Sequence, residues 1–230
     1  MDRNRKDLGI IIVAAGASRR FGGSRSKLLA ELDGMPLFLH SVRRFAPFAA
    51  PGALVVVVPA NGGGEFRDAA ARLLPETDIR WTAGGTTRAI SVRNGIAALP
   101  PGLRYVAIHD AARPLASTEL LRKLVERAKE CGGAIPGVPV ADSLKRLGPD
   151  GMISEPVDRD NLYAVATPQV FALELYRTAI LVPDAEECTD DAEVMRRAGH
   201  PVALVVDHAC NLKVTTPADL EELRLRFPEK

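Results

Sequence analysis

At 230 residues with 47% apolar content, the sequence carries enough hydrophobic material for one sizeable α/β core, and its net charge of +1 argues against a general nucleic-acid binder or a protein held on an anionic membrane. Three scattered cysteines, Cys131, Cys188 and Cys210, show neither CxxC nor Cys/His metal spacing and point to a reducing compartment. No apolar run approaches the length of a membrane span or a signal core, so the expected setting is cytoplasmic, with no nucleic-acid and no membrane partner.

In chain order, the uninterrupted apolar run Ile10 to Val13 predicts a buried strand. It empties through Ala14, Ala15 and Gly16 into a glycine-dotted loop that carries Arg19, Arg20, Arg25 and Lys27. Small residues let backbone N–H groups approach an anion closely while the cations neutralise it from outside, which suits a polyphosphate. The spelling matches neither familiar phosphate loop: Gly16-Ala17-Ser18 lacks the second glycine of a dinucleotide fingerprint, and Lys27 stands between Ser26 and Leu28 rather than in a Walker A setting.

Asp33-Gly34 then predicts a turn and Pro36 the start of a helix through Phe45. Leu54 to Val58 reads as a second buried strand, 66–74 as a helix, and 79–82 as a strand. Gly84-Gly85-Thr86-Thr87-Arg88 opens a further helix, and Tyr105 to His109 is a strand that ends on Asp110-Ala111-Ala112-Arg113-Pro114. Ser117 or Thr118 caps the next helix, which leads to a strand over 134–138. The alternation implies a mostly parallel sheet flanked by helices in a single α/β domain. It breaks at 139–160, where two short stretches about Gly148-Pro149-Asp150-Gly151 read as a β-hairpin excursion from the main sheet. After Pro168-Gln169 the pattern is helical. Thr189 with Asp190 and Asp191 reads as the capped first turn of a helix; a strand over 202–206, a short one over 211–214 and a final helix after Thr216-Pro217 follow.

The strand-end residues are Arg20, Lys27, Asp110, Arg113, Lys145 or Arg159, and Lys213, mostly cations with one acid. Such a set suits phosphoryl-type transfer, where catalysis is positioning and electrostatics. A phosphate nucleophile is already an anion at neutral pH, so no general base is required, and His109 reads as a packed strand-end histidine.

The runs AAGASRRFGGSRSK, GGTTRAISV, HDAARP, VDRDNLYAVATPQVF, TDDAEV and NLKVTTPADL, spread from Ala14 to Leu220, together resemble the 2-C-methyl-D-erythritol 4-phosphate cytidylyltransferase family. The resemblance implies a single Rossmann-like domain spanning 1–230 with 139–160 as a protruding β-arm, in a homodimer with exchanged β-arms that joins CTP to methylerythritol phosphate with Mg²⁺. It places Ala14, Ala15 and Gly16 on the nucleotide, Arg20 and Lys27 on the triphosphate and transition state, and Lys213 on the phosphates. Gly85, Thr86 and Ser91 would read cytosine, and Asp110 and Ala111 would sit near the ribose, with Asp110 the one carboxylate offered to Mg²⁺. Arg113, Ser143 and Arg159 would hold the second substrate, with Thr167 and Thr189 nearby and Arg159 also counted as catalytic. Two departures stand out: Ser26-Lys27-Leu28 where the family has Pro-Lys-Gln, and Ser143 where it has Thr. Two other readings stay open at this stage, a cytidylyltransferase for ribitol or another polyol phosphate and a non-catalytic nucleotide-binding module.

Overall fold

The computed structural model describes residues 7–16, 26–207 and 210–226. Strand β1 (Leu8–Val13) lies at the centre of the main sheet because it is apolar on both faces: Ile10, Ile11 and Ile12 are all buried, in parallel register with β4 (Leu54–Val58) on one side and β6 (Tyr105–Asp110) on the other. Between β1 and β4 run the two-residue strands β2 (Glu31–Leu32) and β3 (Met35–Pro36) and helix α1 (Leu37–Phe45). Asp33 (φ 48°) and Gly34 (φ 69°) form the tight turn between β2 and β3, which needs left-handed backbone at both positions.

Helix α2 (Gly63–Leu73) leads to the edge strand β5 (Arg80–Ala83), and α3 (Arg88–Ala97) returns the chain to β6. The strands β6, β1, β4 and β5 therefore lie side by side and parallel, and the order reverses about β1, which has its earlier neighbour on one flank and its later neighbour on the other. Helix α4 (Thr118–Cys131), capped by the Ser117 hydroxyl accepting from Leu120 N, ends at Gly132 in left-handed conformation (φ 89°) and passes to β7 (Gly133–Pro139).

The second half departs from simple alternation. Strands β8 (Leu144–Leu147) and β9 (Ile153–Val157) form a separate antiparallel hairpin with a bulge between Arg146 and Leu147, inside the stretch expected to be an arm. Its apolar residues are in water: Leu147 is 61% exposed, Met152 68% and Ile153 65%. Strand β10 (Tyr163–Val165) pairs antiparallel with β7, and β11 (Gln169–Ala172) inserts antiparallel between β6 and β7. Sequence pattern predicts neither insertion, because four residues interrupted by a turn carry no readable period. Helices α5 (Leu173–Ala179) and α6 (Asp191–Arg197) precede β12 (Ala203–Val206), parallel to β7, and α7 (Pro217–Arg226) closes the described chain.

Two further expectations change. Residues 211–214 form no strand, because Asn211 and Lys213 turn inward to the site instead of pairing. Asp190, not Thr189, caps α6, since its carboxylate accepts from Glu193 N at 2.9 Å while the Glu193 carboxylate reaches back to Thr189 N. The sheet separates two cores, one under α1, α2, α4 and α7 and one under α3, α5 and α6. No helix among the described residues is long and apolar enough to cross a membrane.

Candidate active site

The carboxyl ends of β1 and β6, where the strand order reverses, open onto a cleft of about 470 Å³. This is the place where an open α/β sheet leaves a crevice, because the connections leaving the two strands diverge to opposite faces. One wall is the β1 end (Val13, Ala15, Gly16) with Lys27 and Leu28; the other is Asp110 and Ala112 from β6 with Lys213 and Thr215. The floor is the loop Gly85-Thr86-Thr87 entering α3, with Arg88 and Ser91. The walls meet closely: a Cβ on Gly84 would stand 2.2 Å from the Ala15 Cβ, so only glycine lets the two loops touch.

The floor is held by its own hydrogen bonds. Thr87 caps α3 by accepting from Ile90 N at 3.1 Å, and the Ser91 hydroxyl accepts from Gly85 N at 3.0 Å while donating to Thr87 O at 2.9 Å. On the opposite wall, the Asp219 carboxylate at the start of α7 accepts from Thr215 N, Thr215 Oγ1 and Thr216 N at 2.6–2.8 Å. The Thr215 hydroxyl and these backbone amides hold its pKa down at about 2, so it stays an acceptor at any ordinary pH. Lys27 donates from Nζ to the carbonyl of Val214 at 2.7 Å, which joins the two walls.

A chain of charges runs beneath the cleft. Asp110, 12% exposed at its side chain, has both oxygens in ion pairs, Oδ2 with Lys213 Nζ at 2.7 Å and Oδ1 with Arg88 Nε at 3.4 Å. Burial pushes this carboxyl up, but Arg88 and Lys213 outweigh it and hold the pKa well below the usual carboxylate range. Arg88 then reaches Asp191 Oδ2 at 2.7 Å, and the buried Tyr176 hydroxyl donates to Asp191 Oδ1 at 2.5 Å. Burial alone would lower the Arg88 pKa; Asp191 and Asp110 raise it well above the ordinary value, so the guanidinium is permanently charged. Burial first, and Asp191 second, also keep the Tyr176 phenol protonated.

A cation-lined cleft at a strand-order reversal is a place for a polyphosphate, and comparison with known proteins decides which kind. Residues 8–225 match the family model of 2-C-methyl-D-erythritol 4-phosphate cytidylyltransferase. The chain belongs to this family. The cytidylyltransferase of Rhodopirellula baltica is 39% identical over 224 residues, covering 93% of this chain and 91% of that one, and that of Carboxydothermus hydrogenoformans is 36% identical, covering 96% and 95%. The crystal structure of 4-diphosphocytidyl-2C-methyl-D-erythritol synthase from Anaerococcus prevotii is similar at a TM-score of 0.81 and 25% identity over 98% of this chain and 99% of that one. A second synthase structure is similar at 0.78 and 34% identity, over 96% and 98%.

Of the residues expected to serve the cytidylyltransferase site, Ala15, Gly16, Lys27, Gly85, Thr86, Ser91, Asp110 and Lys213 line one cleft. Arg20 lies outside the described residues. Ala14 and Ala111 are both fully buried in the core, and beside them Val13, Ala15 and Ala112 line the cleft. Ser91 is a lining residue whose hydroxyl is already spoken for on both sides, so it shapes the floor. Ser143 and Arg159 are exposed on the hairpin segment, where the Arg159 guanidinium bonds the Ala141 carbonyl, and neither lines the cleft of its own chain. Thr189 is likewise exposed, bonded to Glu193.

Arg113 and Thr167 sit just behind the β6 end. Arg113 donates from Nη1 to Asn211 O at 2.7 Å, and Asn211 donates from Nδ2 to Thr167 O at 2.8 Å, so three separate segments are tied together. Thr167 Oγ1 accepts from Asp110 N at 3.0 Å and lies 3.1 Å from His109 Nδ1. His109 Nε2 faces the Arg113 carbonyl at 3.1 Å, which can only accept, so the ring carries its proton on Nε2 and accepts a hydrogen bond from the Thr167 hydroxyl at Nδ1. Thr167 thereby positions Asp110.

Arg88 is the site residue that motif reading passed over. It stands at the first position of α3, where the helix dipole disfavours a cation, and that local conflict was the available signal. The acidic pair expected to be only a capped first turn divides in two: Asp190 caps, whereas Asp191, 1% exposed, serves Arg88.

Among the described residues no group of three His, Cys, Asp or Glu side chains is placed to hold a metal. Asp110 is the one carboxylate in the cleft lining, and Lys213 occupies its Oδ2. The donor set therefore fits Mg²⁺ only in the mode where substrate phosphates supply most ligands and a single carboxylate adds to them.

The burial of His109 has a measurable consequence. Burial is the main cause that lowers its pKa from 6.5 to about 4, so the folded state binds fewer protons than the unfolded state between those values. Its contribution to stability is complete above pH 6.5 and falls as pH drops towards 4, by up to about 3 kcal/mol. Asp110, depressed too, adds its loss only below the ordinary carboxylate range. The pKa of buried His40 is lowered for the same reason and adds to the slope, so denaturant midpoints across pH 7 to 4 should fall and a His109→Gln variant should make the fall shallower; equal slopes in the two proteins would remove His109 as a cause.

Proposed function

We infer that this chain transfers CMP from CTP to 2-C-methyl-D-erythritol 4-phosphate, giving 4-diphosphocytidyl-2-C-methyl-D-erythritol and pyrophosphate in the non-mevalonate isoprenoid pathway. Family membership over residues 8–225 supports the reaction, and the single structural observation that carries it is the convergence of Lys27, Arg88 and Lys213 on one cleft at the β1 and β6 ends. A phosphate oxygen of the methylerythritol phosphate attacks the α-phosphorus of CTP, one new P–O bond forms, and the bond to the β-phosphate oxygen breaks as pyrophosphate leaves. The nucleophile is already an anion, so no side chain needs to take a proton.

In this reading Ala15, Gly16 and the floor at Gly85-Thr86 hold the nucleotide by backbone approach, while Lys27 with Arg20 meets charge that develops at the α-phosphate. Lys213 exchanges its partner, leaving the Asp110 carboxylate for a phosphate when CTP enters. Mg²⁺ is the proposed cofactor, and when bound it offsets triphosphate charge and orients the leaving diphosphate. Full turnover in excess EDTA would end that assignment.

The second substrate falls to Arg113, Ser143, Arg159, Thr167 and Thr189. Because Ser143 and Arg159 stand on the hairpin away from their own cleft, we read residues 1–230 as one domain whose arm, 139–160, crosses to a partner in a two-fold homodimer in the cytoplasm. Exposed Leu147, Met152 and Ile153 support this, since a bare apolar hairpin is a liability that a second copy covers. Mixed refolding of Lys27→Ala and Arg159→Ala chains tests it. Half the dimers are mixed and each mixed dimer regains one site of two, so about a quarter of wild-type activity should return. Only the summed residual activities, with mixed dimers confirmed by cross-linking, would place Arg159 in its own chain's site.

The reaction itself is tested by pyrophosphate release from each of the four nucleoside triphosphates against methylerythritol phosphate and ribitol phosphate. Turnover confined to CTP with methylerythritol phosphate is expected. Preference for ribitol phosphate would move the chain to another polyol, and no turnover with any pair would leave a nucleotide-binding module.

A further inference from the structure

Away from the cleft, helix α1 and the start of α4 enclose a groove of about 530 Å³ that the reaction does not use. Arg43 and Arg44 reach it from α1 and Arg122 from α4, beside the Thr118 hydroxyl, with His40 behind and Phe48 along one wall. Among the described residues no acidic side chain lines it.

The three guanidinium charges are poorly compensated where they stand. Arg44 donates from Nη1 to the carbonyls of Leu115 and Ala116 at 3.0 and 3.1 Å, and among the described residues it has no carboxylate partner. Among the described residues Arg43 has none either. Arg122 stacks over Phe48, 5.1 Å from the ring centre, which fixes its plane; its contact with Glu119, 3.7 Å and largely in water, is of a kind that neutralises little. The C-terminal dipole of α1 favours basic residues in its last turn, which accounts for Arg43 and Arg44 being tolerated, but it does not account for a third arginine brought from another helix to face them. Burial, and after it the Arg43 charge, depress the pKa of Arg44, in keeping with like charges held together. Arginine's planar fork matches phosphate oxygens two at a time, and a site with three such forks matches an anion with several of them.

We propose that the groove between α1 and α4 is a second binding site, for a compact anion of the diphosphate class, held by Arg43, Arg44 and Arg122 with Thr118. The site is independent of the reaction proposed above, because binding there is read on the substrate-free protein.

Calorimetric titration of inorganic diphosphate into substrate-free protein should resolve a binding class that the paired Arg43→Ala and Arg122→Ala substitutions weaken by about a hundredfold, on the order of tenfold for each lost charge-assisted contact. Turnover of the double variant should match wild type. A Lys27→Ala protein should keep this class, which separates it from diphosphate held in the cleft. Binding unchanged in the double variant, or abolished by Lys27→Ala alone, overturns the proposal. Should the double variant unfold, wild-type crystals soaked in diphosphate give the answer directly: density bridging Arg43, Arg44 and Arg122 supports the site, and an empty groove removes it.

Discussion

Replacing Lys27 by Ala should lower kcat by on the order of a hundredfold or more while raising the KM for CTP much less. Lys27 lines the cleft and its ammonium is held by the Val214 carbonyl at 2.7 Å, in a short helical turn whose next two residues, Leu28 and Leu29, are buried. The turn is thus positioned by its apolar neighbours, and removing the cation should leave the fold in place. A cation that faces a phosphorus gaining charge along the reaction stabilises the transition state more than the ground state, and such an interaction appears in kcat. Steady-state kinetics with varied CTP, alongside an unfolding curve of the variant, make the measurement. A kcat equal to wild type would leave Lys27 as a structural link between the two walls.

Asp191→Ala should cost about 3–5 kcal/mol of stability, because it strips one partner from a buried ion pair and leaves the other in place. Arg88 would keep only its 3.4 Å contact with Asp110, and the Tyr176 hydroxyl, fully buried beneath, would lose its acceptor. Arg88 is also a lining residue of the cleft, so loosening it should raise the KM for CTP in a protein still folded at low temperature. Asp191→Asn, which keeps an acceptor for Tyr176, should fall between wild type and Asp191→Ala on both measures. Chemical denaturation and CTP kinetics of the three proteins test the order. Equal stability of Asp191→Ala and wild type would show that the pair is not worth what its burial suggests.

Most of what was legible in the sequence rests on strong local signals. The isoleucine run of β1, the valine run of β4 and the Tyr105–His109 strand are apolar on both faces, and β1 and the Tyr105–His109 strand are each followed by residues that line the cleft. The hairpin was legible too, because its Gly-Pro-Asp-Gly turn interrupts the βα alternation. What escaped notice depends on contacts distant along the chain. Strand β11 is four residues long and gains its place from Ile108 and Ala134 on either side, not from any pattern of its own. Asp191 looked like a helix cap because a carboxylate in a first turn is explained locally, and only its 1% exposure beside Arg88 separates it from Asp190. Ala14 and Ala111 show the same limit at finer scale: a motif fixes a loop, but that these two are buried while Ala15 and Ala112 line the cleft depends on backbone direction.

The links that join the site have an implication for the order in which the molecule assembles. Lys27 meets Val214 across 187 positions of sequence, and Arg88 meets Asp191, and Lys213 meets Asp110, each across 103. Loops of that span are entropically slow to close, and they close only after the strands between them have paired. A chain still emerging from the ribosome can build β1, β4 and β6 and yet possess no competent pocket until its final sixth has docked. Nucleotide binding, followed in time during refolding, would therefore trail the recovery of helical and sheet signals and mark the last event of maturation.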